Sequence, residues 1–216
     1  MRALYLDHRP VKVLITGASG TGKTTLLSEL INLGESYWRT IVVYDWQGEL
    51  QKTIRNYKLV EKLSDICEPG IWICDPAVWK HTLPLDKGFN YTCRVLLEFG
   101  RRGLIHIPTL FACDEIQTFG LKTFTNEFRD LMQVGRRYGI DVAVIAQQIN
   151  ELDNRFRNQF THIYTFRHVD PYVLEQMRKW GFDPEKVKSL GVGQYQVLNT
   201  YYQEIIDGQT VKSKLR

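Results

Sequence analysis

A glycine-rich run near the start of the chain has the residue types and spacing that bind a phosphate chain. Residues 17–24 read GASGTGKT and fit the pattern G-x-x-x-x-G-K-[S/T] at every fixed position. The glycines let backbone N–H groups close around phosphates, Lys23 can reach the β- and γ-phosphates, and the Thr24 hydroxyl can bind Mg²⁺. The pattern predicts a site for ATP and Mg²⁺, with nucleotide contacts from Gly17, Ala18, Ser19, Gly20, Thr21, Gly22, Lys23, Thr24 and Thr25.

The sequence on both sides of this run predicts the elements that position it. Residues 11–16 predict a buried strand before the run, and residues 25–31 predict a helix after it. The N-terminus of a helix that points at a phosphate is a favourable anion site. Because strand, loop and helix stand in the right order, we favour a phosphate-binding loop over a chance glycine-rich turn.

A pair of carboxylates follows a second apolar strand, which we predict over residues 110–113. Asp114 in this position would hold the Mg²⁺ shell, and Glu115 would orient and deprotonate an attacking water. The alternative is an ordinary helix cap, with Asp114 capping and Glu115 in the first turn. The phosphate-binding loop upstream favours the catalytic interpretation.

Gln147 follows another buried strand, predicted over residues 142–146. An amide there would lie near the γ-phosphate and the attacking water, where it could sense phosphate loss. Gln148 is adjacent, so the choice of Gln147 over Gln148 stays open, as does a simple loop-capping role for either.

The composition describes a chain that can form one α/β domain. The 216 residues are 44% hydrophobic and carry a net charge of +4, which is compatible with nucleic-acid binding without showing it. No apolar run approaches the roughly 20 residues of a membrane span, and we expect a soluble, intracellular protein that is not an integral membrane protein. The four cysteines form no Cys-x-x-Cys pair, so we expect core thiols rather than a zinc site.

Strand-like and helix-like segments alternate along the rest of the chain, which predicts a parallel sheet. These segments are followed by a helix beginning after Asp170 and a short helix near Asp183. A C-terminal hairpin comes last, with a turn signal at Asp207 and Gly208. The further strands are predicted at residues 41–44, 70–75 and 163–166, the helices at 91–101, 123–138 and 171–180, and the hairpin at 194–209.

Taken together, these motifs resemble the FtsK/HerA superfamily of DNA-pumping ATPases. The similarity also includes the segments YDWQGE at residues 44–49 and GRRYGI at residues 135–140. Within the superfamily, the chain is most similar to the genome-packaging ATPases of tailless icosahedral double-stranded DNA viruses with an internal membrane. The resemblance covers roughly residues 10–170 and implies a RecA-like ASCE P-loop NTPase in a single domain. Its mainly parallel central sheet would be flanked by helices, with residues 171–216 as a helical and hairpin extension.

The resemblance further implies a ring, commonly a hexamer, with ATP between neighbouring subunits. An arginine from one subunit would then reach the γ-phosphate bound by the next. In the superfamily this arginine precedes the fourth strand, which indicates Arg136 or Arg137, with Arg155 and Arg157 as a second pair. The alternative for each is a cation at the C-terminus of a helix, which the helix dipole stabilises anyway.

Double-stranded DNA would pass through the pore of such a ring and be held through its phosphates without regard to sequence. Candidate DNA contacts are Lys122, Arg101 and Arg102, although an exposed basic loop is often only solvated. The implied partners are a capsid portal or vertex protein, and the implied location is the host cytoplasm or the virion vertex.

Three other functions remain open from the sequence. One is a filamentous-phage assembly ATPase of the zonula-occludens-toxin type, which shares the phosphate-binding loop. The second is a nucleoside or polynucleotide kinase, which would leave Gln147, Arg136 and Arg137 without roles. The third is a nucleotide switch without catalysis, against which an intact Glu115 argues.

Overall fold

The structure is a computed structural model, and it describes residues 11–76, 85–119, 126–147, 149 and 158–210. The described strands are β1 (Lys12–Thr16), β2 (Thr40–Tyr44), β3 (Tyr57–Leu59), β4 (Gly70–Cys74), β5 (Thr109–Cys113), β6 (Ile140–Ala146), β7 (His162–Thr165), β8 (Gln194–Asn199) and β9 (Glu204–Gln209). The described α-helices are α1 (Lys23–Gly34), α2 (Leu85–Arg101), α3 (Asn126–Val134), α4 (Pro171–Lys179) and α5 (Pro184–Ser189).

All of these strands belong to one nine-stranded sheet, in the order β3-β4-β2-β5-β6-β1-β7-β8-β9. Every described pairing from β3 to β7 is parallel, whereas β8 pairs antiparallel with β7 and β9 pairs antiparallel with β8. The prediction of a mainly parallel sheet is therefore confirmed. The C-terminal hairpin extends the same sheet.

Helices cover both faces of the sheet, which explains why its central strands are continuous apolar runs. Side chains alternate between the two faces, so Leu14 packs into one core while Val13 and Ile15 pack into the other. The core on the side of Leu14 includes apolar residues of α2 and α3. The other core is closed by α1.

The strand order brings the predicted site residues to one edge of the sheet. Strand β6 lies between β1 and β5, and all three run parallel, so their carboxyl ends meet at the same edge. Thr16 at the end of β1 pairs with Ala146 at the end of β6. Gln147 therefore follows a strand that stands between the glycine-rich loop and the carboxylates after β5.

The helix predicted over residues 123–138 is shorter and changes form. The α-helical part is Asn126–Val134, and a tighter 3₁₀ turn, Gly135–Tyr138, follows it. Gly139 ends this turn at a φ of 69°, so the predicted stop is confirmed. The helix predicted at residues 91–101 is confirmed, but α2 begins earlier, at Leu85.

Both helices that begin with an aspartate and a proline are confirmed. The Asp170 carboxylate accepts a hydrogen bond from the backbone N–H of Tyr172 at 2.7 Å and caps α4. Asp183 caps α5 in the same way through the N–H of Glu185 at 3.0 Å. Each proline occupies the first helical position, where its missing N–H costs no hydrogen bond.

The C-terminal hairpin is confirmed, but the predicted position of its turn is wrong. The turn lies between β8 and β9, where the Asn199 side chain accepts from the N–H of Tyr201 at 3.0 Å. Asp207 and Gly208 instead lie within β9, and Gly208 pairs with Tyr195. A Cβ at Gly208 would collide with the Tyr195 ring, so this glycine makes room for an aromatic side chain rather than for a turn.

Strand β3 and the 3₁₀ turn Leu63–Cys67 have no counterpart among the predicted elements. Strand β3 has only three residues at the edge of the sheet and none of them is fully buried, so it leaves no periodic signal. The thiols of Cys74, Cys93 and Cys113 are buried in the core, as expected, whereas Cys67 is only half-buried and the expectation is wrong for it. Across the described part of the chain, no helix is both long and apolar enough to cross a membrane.

Candidate nucleotide-binding and hydrolytic site

The glycine-rich loop joins β1 to α1 in a shape that requires glycine. Gly22 precedes the first residue of α1 at a φ of 111°, in the left-handed region. A Cβ at Gly17 would lie 2.6 Å from the Cβ of Phe166. No side chain caps α1, so the first N–H groups of this 12-residue helix remain available for an anion.

Lys23 lies inside this loop, with only 5% of its surface exposed. Its ammonium donates to the carbonyl oxygen of Ala18 at 2.8 Å. Burial lowers the pKa of Lys23, while the nearby charges of Asp114 and Glu115 act to raise it. A phosphate in the loop would supply the anionic partner that a buried ammonium lacks.

Thr24 and Asp114 meet at the carboxyl edge of the sheet, as their predicted shared metal role requires. The Thr24 hydroxyl donates to Oδ2 of Asp114 at 3.2 Å. Burial raises the pKa of Asp114 to about 6, and the Thr24 hydrogen bond works in the opposite direction. One carboxylate and one hydroxyl beside a phosphate site are oxygen ligands that suit Mg²⁺, so these two residues fit the predicted metal.

Glu115 is held by two amide side chains from different parts of the chain. Its Oε2 accepts from Nε2 of Gln47 at 2.6 Å, and its Oε1 accepts from Nε2 of Gln147. Its backbone φ is 48°, a left-handed conformation that is uncommon for a residue other than glycine. Such a conformation is typical of side chains that are placed for function at the end of a strand.

Gln147 therefore contacts the carboxylate that was predicted to activate water. Its backbone N–H also donates to Oε1 of Gln117 at 3.2 Å. Gln117 lies on the 3₁₀ turn Ile116–Phe119, directly after the carboxylates. This network joins the end of β6 to the segment after β5. Gln148 lies outside the described residues.

Asp45 shapes the loop that carries Gln47. Asp45 follows β2 and is fully buried, and its Oδ2 accepts from the backbone N–H of Gln51 at 2.9 Å. Burial raises the pKa of Asp45, and hydrogen bonds from backbone N–H groups of residues 48–51 work against that rise. The segment at residues 44–49 therefore contributes a buried anchor, Asp45, and an exposed ligand of Glu115, Gln47.

His168 is a further residue of the site that the sequence analysis did not select. Its Nε2 lies 3.2 Å from the hydroxyl of Thr16, the last residue before the loop. Burial, together with the nearby charge of Lys23, lowers the pKa of His168 to about 4. His168 is therefore neutral at physiological pH. Its only sequence signal was its place shortly after β7.

Because His168 is kept neutral, acid should destabilise the protein through this residue. A histidine with a pKa near 6.5 unfolded and about 4 folded takes up its proton on unfolding. Its contribution is complete above pH 6.5 and is lost as the pH falls, by about 2 kcal/mol between pH 8 and pH 5. Urea unfolding of His168→Gln should show a correspondingly weaker loss with acid. The exposed-histidine variant His106→Gln should keep the wild-type pH dependence, and an unchanged dependence in His168→Gln would contradict this assignment.

The C-terminal hairpin supports the glycine-rich loop directly, a contact that the sequence did not indicate. The backbone N–H of Gly193 donates to the carbonyl of Thr21 at 2.9 Å, and the N–H of Thr210 donates to the carbonyl of Gly193 at 2.8 Å. Gly193 packs so closely that a Cβ at Gly22 would lie 3.3 Å from its Cα. The C-terminal extension therefore helps to hold the glycine-rich loop in place.

The two predicted trans arginines lie at the other edge of the sheet. Arg136 and Arg137 are exposed on the 3₁₀ turn that precedes β6, whereas Gln147 follows its last residue. Seven residues of strand separate these ends by about 20 Å, beyond the reach of an arginine side chain. Neither arginine can serve the site of its own chain. Arg155 and Arg157 lie outside the described residues.

The predicted DNA contacts receive no new support. Arg101 and Arg102 are exposed at the end of α2, and both pair with Glu98, at 3.9 and 2.6 Å. Such exposed pairs are weak, so they leave both arginines available to another partner. Lys122 lies outside the described residues.

The fold and the site together define a P-loop NTPase. A family model described as an AAA domain matches residues 9–156, which is more than half of the chain, and the chain therefore belongs to this family. No curated protein matches the sequence.

Solved structures share this fold at low sequence identity. The genome packaging NTPase B204 from Sulfolobus turreted icosahedral virus 2, in complex with AMP, aligns with a TM-score of 0.75 at 18% identity, covering 94% of this chain and 99% of B204. B204 from Sulfolobus turreted icosahedral virus, described as the DNA-packaging ATPase, aligns with a TM-score of 0.67 at 19% identity, covering 93% and 98%. The bacterial conjugative coupling protein TrwBΔN70 aligns with a TM-score of 0.71 at 12% identity, covering 97% and 87%. The predicted RecA-like fold is confirmed, and the chain is similar in fold to the packaging NTPase B204.

Proposed function

We propose that this chain is an ATP-hydrolysing motor that moves double-stranded DNA and packages a viral genome into a preformed capsid. The observation that carries the proposal is the position of Glu115. Two amides fix its carboxylate beside the Thr24–Asp114 pair, at the sheet edge that carries the phosphate-binding loop. A fixed carboxylate next to a phosphate site can accept the proton of an attacking water.

The residues of the site divide the reaction among them. The loop N–H groups and Lys23 bind the β- and γ-phosphates, and Thr24 and Asp114 hold the Mg²⁺. When bound, Mg²⁺ neutralises charge that develops on the phosphate oxygens. Glu115 accepts a proton from water, and Gln147 both orients Glu115 and faces the γ-phosphate position. Loss of that phosphate would then change the hydrogen bonds of Gln147 and move the segment after β6.

The proposed DNA substrate rests on the likeness to B204 and TrwB and on the chain's charge. B204 is described as a DNA-packaging ATPase, and TrwB is described as a conjugative coupling protein. The net charge of +4 suits contacts with DNA phosphates, which would be independent of sequence. The proposed partners are further copies of this chain in a ring of six and a portal or vertex protein of the capsid. Its place of action would be the host cytoplasm or the virion vertex.

The test of this function is the ATP hydrolysis rate with and without long double-stranded DNA. A motor that moves along DNA should hydrolyse ATP at least several-fold faster when DNA is present, and short duplexes should stimulate it less. A hydrolysis rate that does not change with DNA but increases with an added nucleoside or polynucleotide acceptor would contradict the proposal. That result would indicate a kinase instead.

The ring predicts that subunits with different defects can complement one another. The variants Arg136→Ala and Arg137→Ala should be tested separately, because one of the two arginines would supply the trans cation. Whichever arginine variant has lost activity should, when mixed with Lys23→Ala subunits, hydrolyse ATP faster than the sum of the two separate proteins. In the mixture, an intact loop then meets an intact arginine from its neighbour.

Arg129→Ala is the matched control, since Arg129 is a half-buried arginine on the preceding helix, paired with Asn126 at 2.6 Å. It should hydrolyse ATP like the wild type. If neither arginine variant loses activity, or neither is rescued by mixing, the trans assignment is wrong.

A further inference from the structure

A pocket of about 320 Å³ opens at the edge of the sheet opposite the nucleotide site. It lies where β1 begins, next to the 3₁₀ turn before β6 and the residues before β7. Its polar lining includes Lys12, Arg136, Asn158, Gln159, Thr161 and Thr200, and none of its described lining residues is an aspartate or glutamate. This pocket has no part in the hydrolytic site described above.

Two cations face the pocket without an anionic partner among the described residues. Lys12 is only 9% exposed, and neither its ammonium nor the Arg136 guanidinium has a hydrogen bond or ion pair in the part of the chain that is described. Burial and the charge of Arg136 lower the pKa of Lys12 to about 8. Holding two such cations together is unfavourable unless an anion binds between them.

The backbone that carries Lys12 is fixed before any ligand arrives. The N–H of Lys12 donates to the Thr161 hydroxyl at 2.9 Å, and the N–H of Thr161 donates to the carbonyl of Lys12 at 2.8 Å. Gln159 adds a buried amide oxygen for which the described residues offer no partner. The site therefore combines two cations with a rigid support and a buried amide.

We propose that this pocket binds a phosphate-class oxyanion, held by the ammonium of Lys12 and the guanidinium of Arg136. Arginine and lysine together match the charge and the acceptor oxygens of a phosphate dianion. The favoured source is the nucleotide on a neighbouring subunit, which makes Lys12 a second trans cation beside Arg136. This part rests on the ring of the proposed function. The other source is a free polyphosphate compound.

The binding arm of the test uses the isolated full-length chain and pyrophosphate as the probe. Lys23→Ala is the background, because it weakens the protein's own phosphate-binding loop. Calorimetric titration should detect pyrophosphate binding in this background. Adding Lys12→Met or Arg136→Met should each weaken it by about tenfold, as expected when one charged hydrogen bond is lost. Two variants are used because a fault in the folding of one leaves the other informative.

Lys188→Met is the control, since Lys188 is an exposed lysine on α5. Lys188→Met should leave pyrophosphate binding unchanged. Lys12→Arg, unlike Lys12→Met, should keep most of the binding. Binding that is absent, or that neither Lys12→Met nor Arg136→Met weakens, overturns the proposal. This arm requires no DNA and no ring, so its outcome is separate from that of the motor function.

The second arm identifies the source of the phosphate. Lys12→Met subunits are mixed with Lys23→Ala subunits, and ATP hydrolysis is measured with DNA. Activity above the sum of the separate proteins shows that Lys12 acts on the neighbour's nucleotide. A positive binding arm without such rescue assigns the pocket to a free polyphosphate compound. If the wild type shows no DNA-stimulated hydrolysis, the motor function fails while the binding arm still decides the pocket.

Discussion

Glu115→Gln is expected to slow ATP hydrolysis by about a thousandfold while ATP affinity changes by less than about threefold. A positioned general base contributes about 10²- to 10⁴-fold to a rate, and an amide cannot accept the proton. Glutamine has nearly the same shape, and one of the two amides, Gln47 or Gln147, can still donate to its oxygen while the other rotates to accept from its NH₂ group. The defect should therefore lie in the chemical step and not in nucleotide binding.

The measurement is a single-turnover hydrolysis rate, with ATP affinity taken from a separate binding titration. Glu204→Gln is the matched control, since Glu204 is an exposed glutamate on β9, far along the chain from the loop. It should hydrolyse ATP like the wild type. A Glu115→Gln protein that keeps more than a tenth of the wild-type rate would show that another group takes the proton.

Gln47 and Gln147 show what the sequence could and could not predict about this site. The placement of Thr24, Asp114 and Gln147 at one edge was predictable, because each follows a buried strand and parallel strands end together. The contact of Gln47 with Glu115 was not, because it depends on how a loop after β2 folds around the buried carboxylate of Asp45. Local sequence patterns contain no information about that path.

In the C-terminal region, too, local elements were predictable from the sequence, whereas long-range contacts were not. Both aspartate–proline helix starts were predictable because their caps are local. The hairpin turn was misplaced because Gly208 serves a distant ring, that of Tyr195, and a glycine selected by packing looks in sequence like one selected by a turn. The contact between Gly193 and Thr21 joins residues far apart in the chain and so leaves no local signal.

Lys12 is a further case, since the strand predicted over residues 11–16 does not indicate where the lysine ammonium lies. Its burial arises only because β1 lies between β6 and β7, with Thr161 fastened to its backbone. The strand order, and not the residue's neighbours in sequence, places its ammonium next to Arg136.

Lys23→Ala is expected to weaken ATP binding by about tenfold to a hundredfold and to reduce hydrolysis below detection. The Lys23 ammonium is buried within the loop, so its charge acts on a bound phosphate with little screening by solvent. A charged hydrogen bond of this kind contributes about 1.5 to 3 kcal/mol, and the loop loses its only lysine.

The loss of ATP binding in Lys23→Ala should not come from unfolding of the protein. Lys23 is costly to bury, as its lowered pKa shows, so removing it relieves that cost while one hydrogen bond to Ala18 is lost. The melting temperature of Lys23→Ala without nucleotide should therefore lie within a few degrees of the wild-type value, whereas ATP should no longer raise it. Lys188→Ala, on an exposed face of α5, should keep the full ATP-dependent rise. If ATP stabilises Lys23→Ala as strongly as the wild type, the loop does not bind the phosphates through this residue.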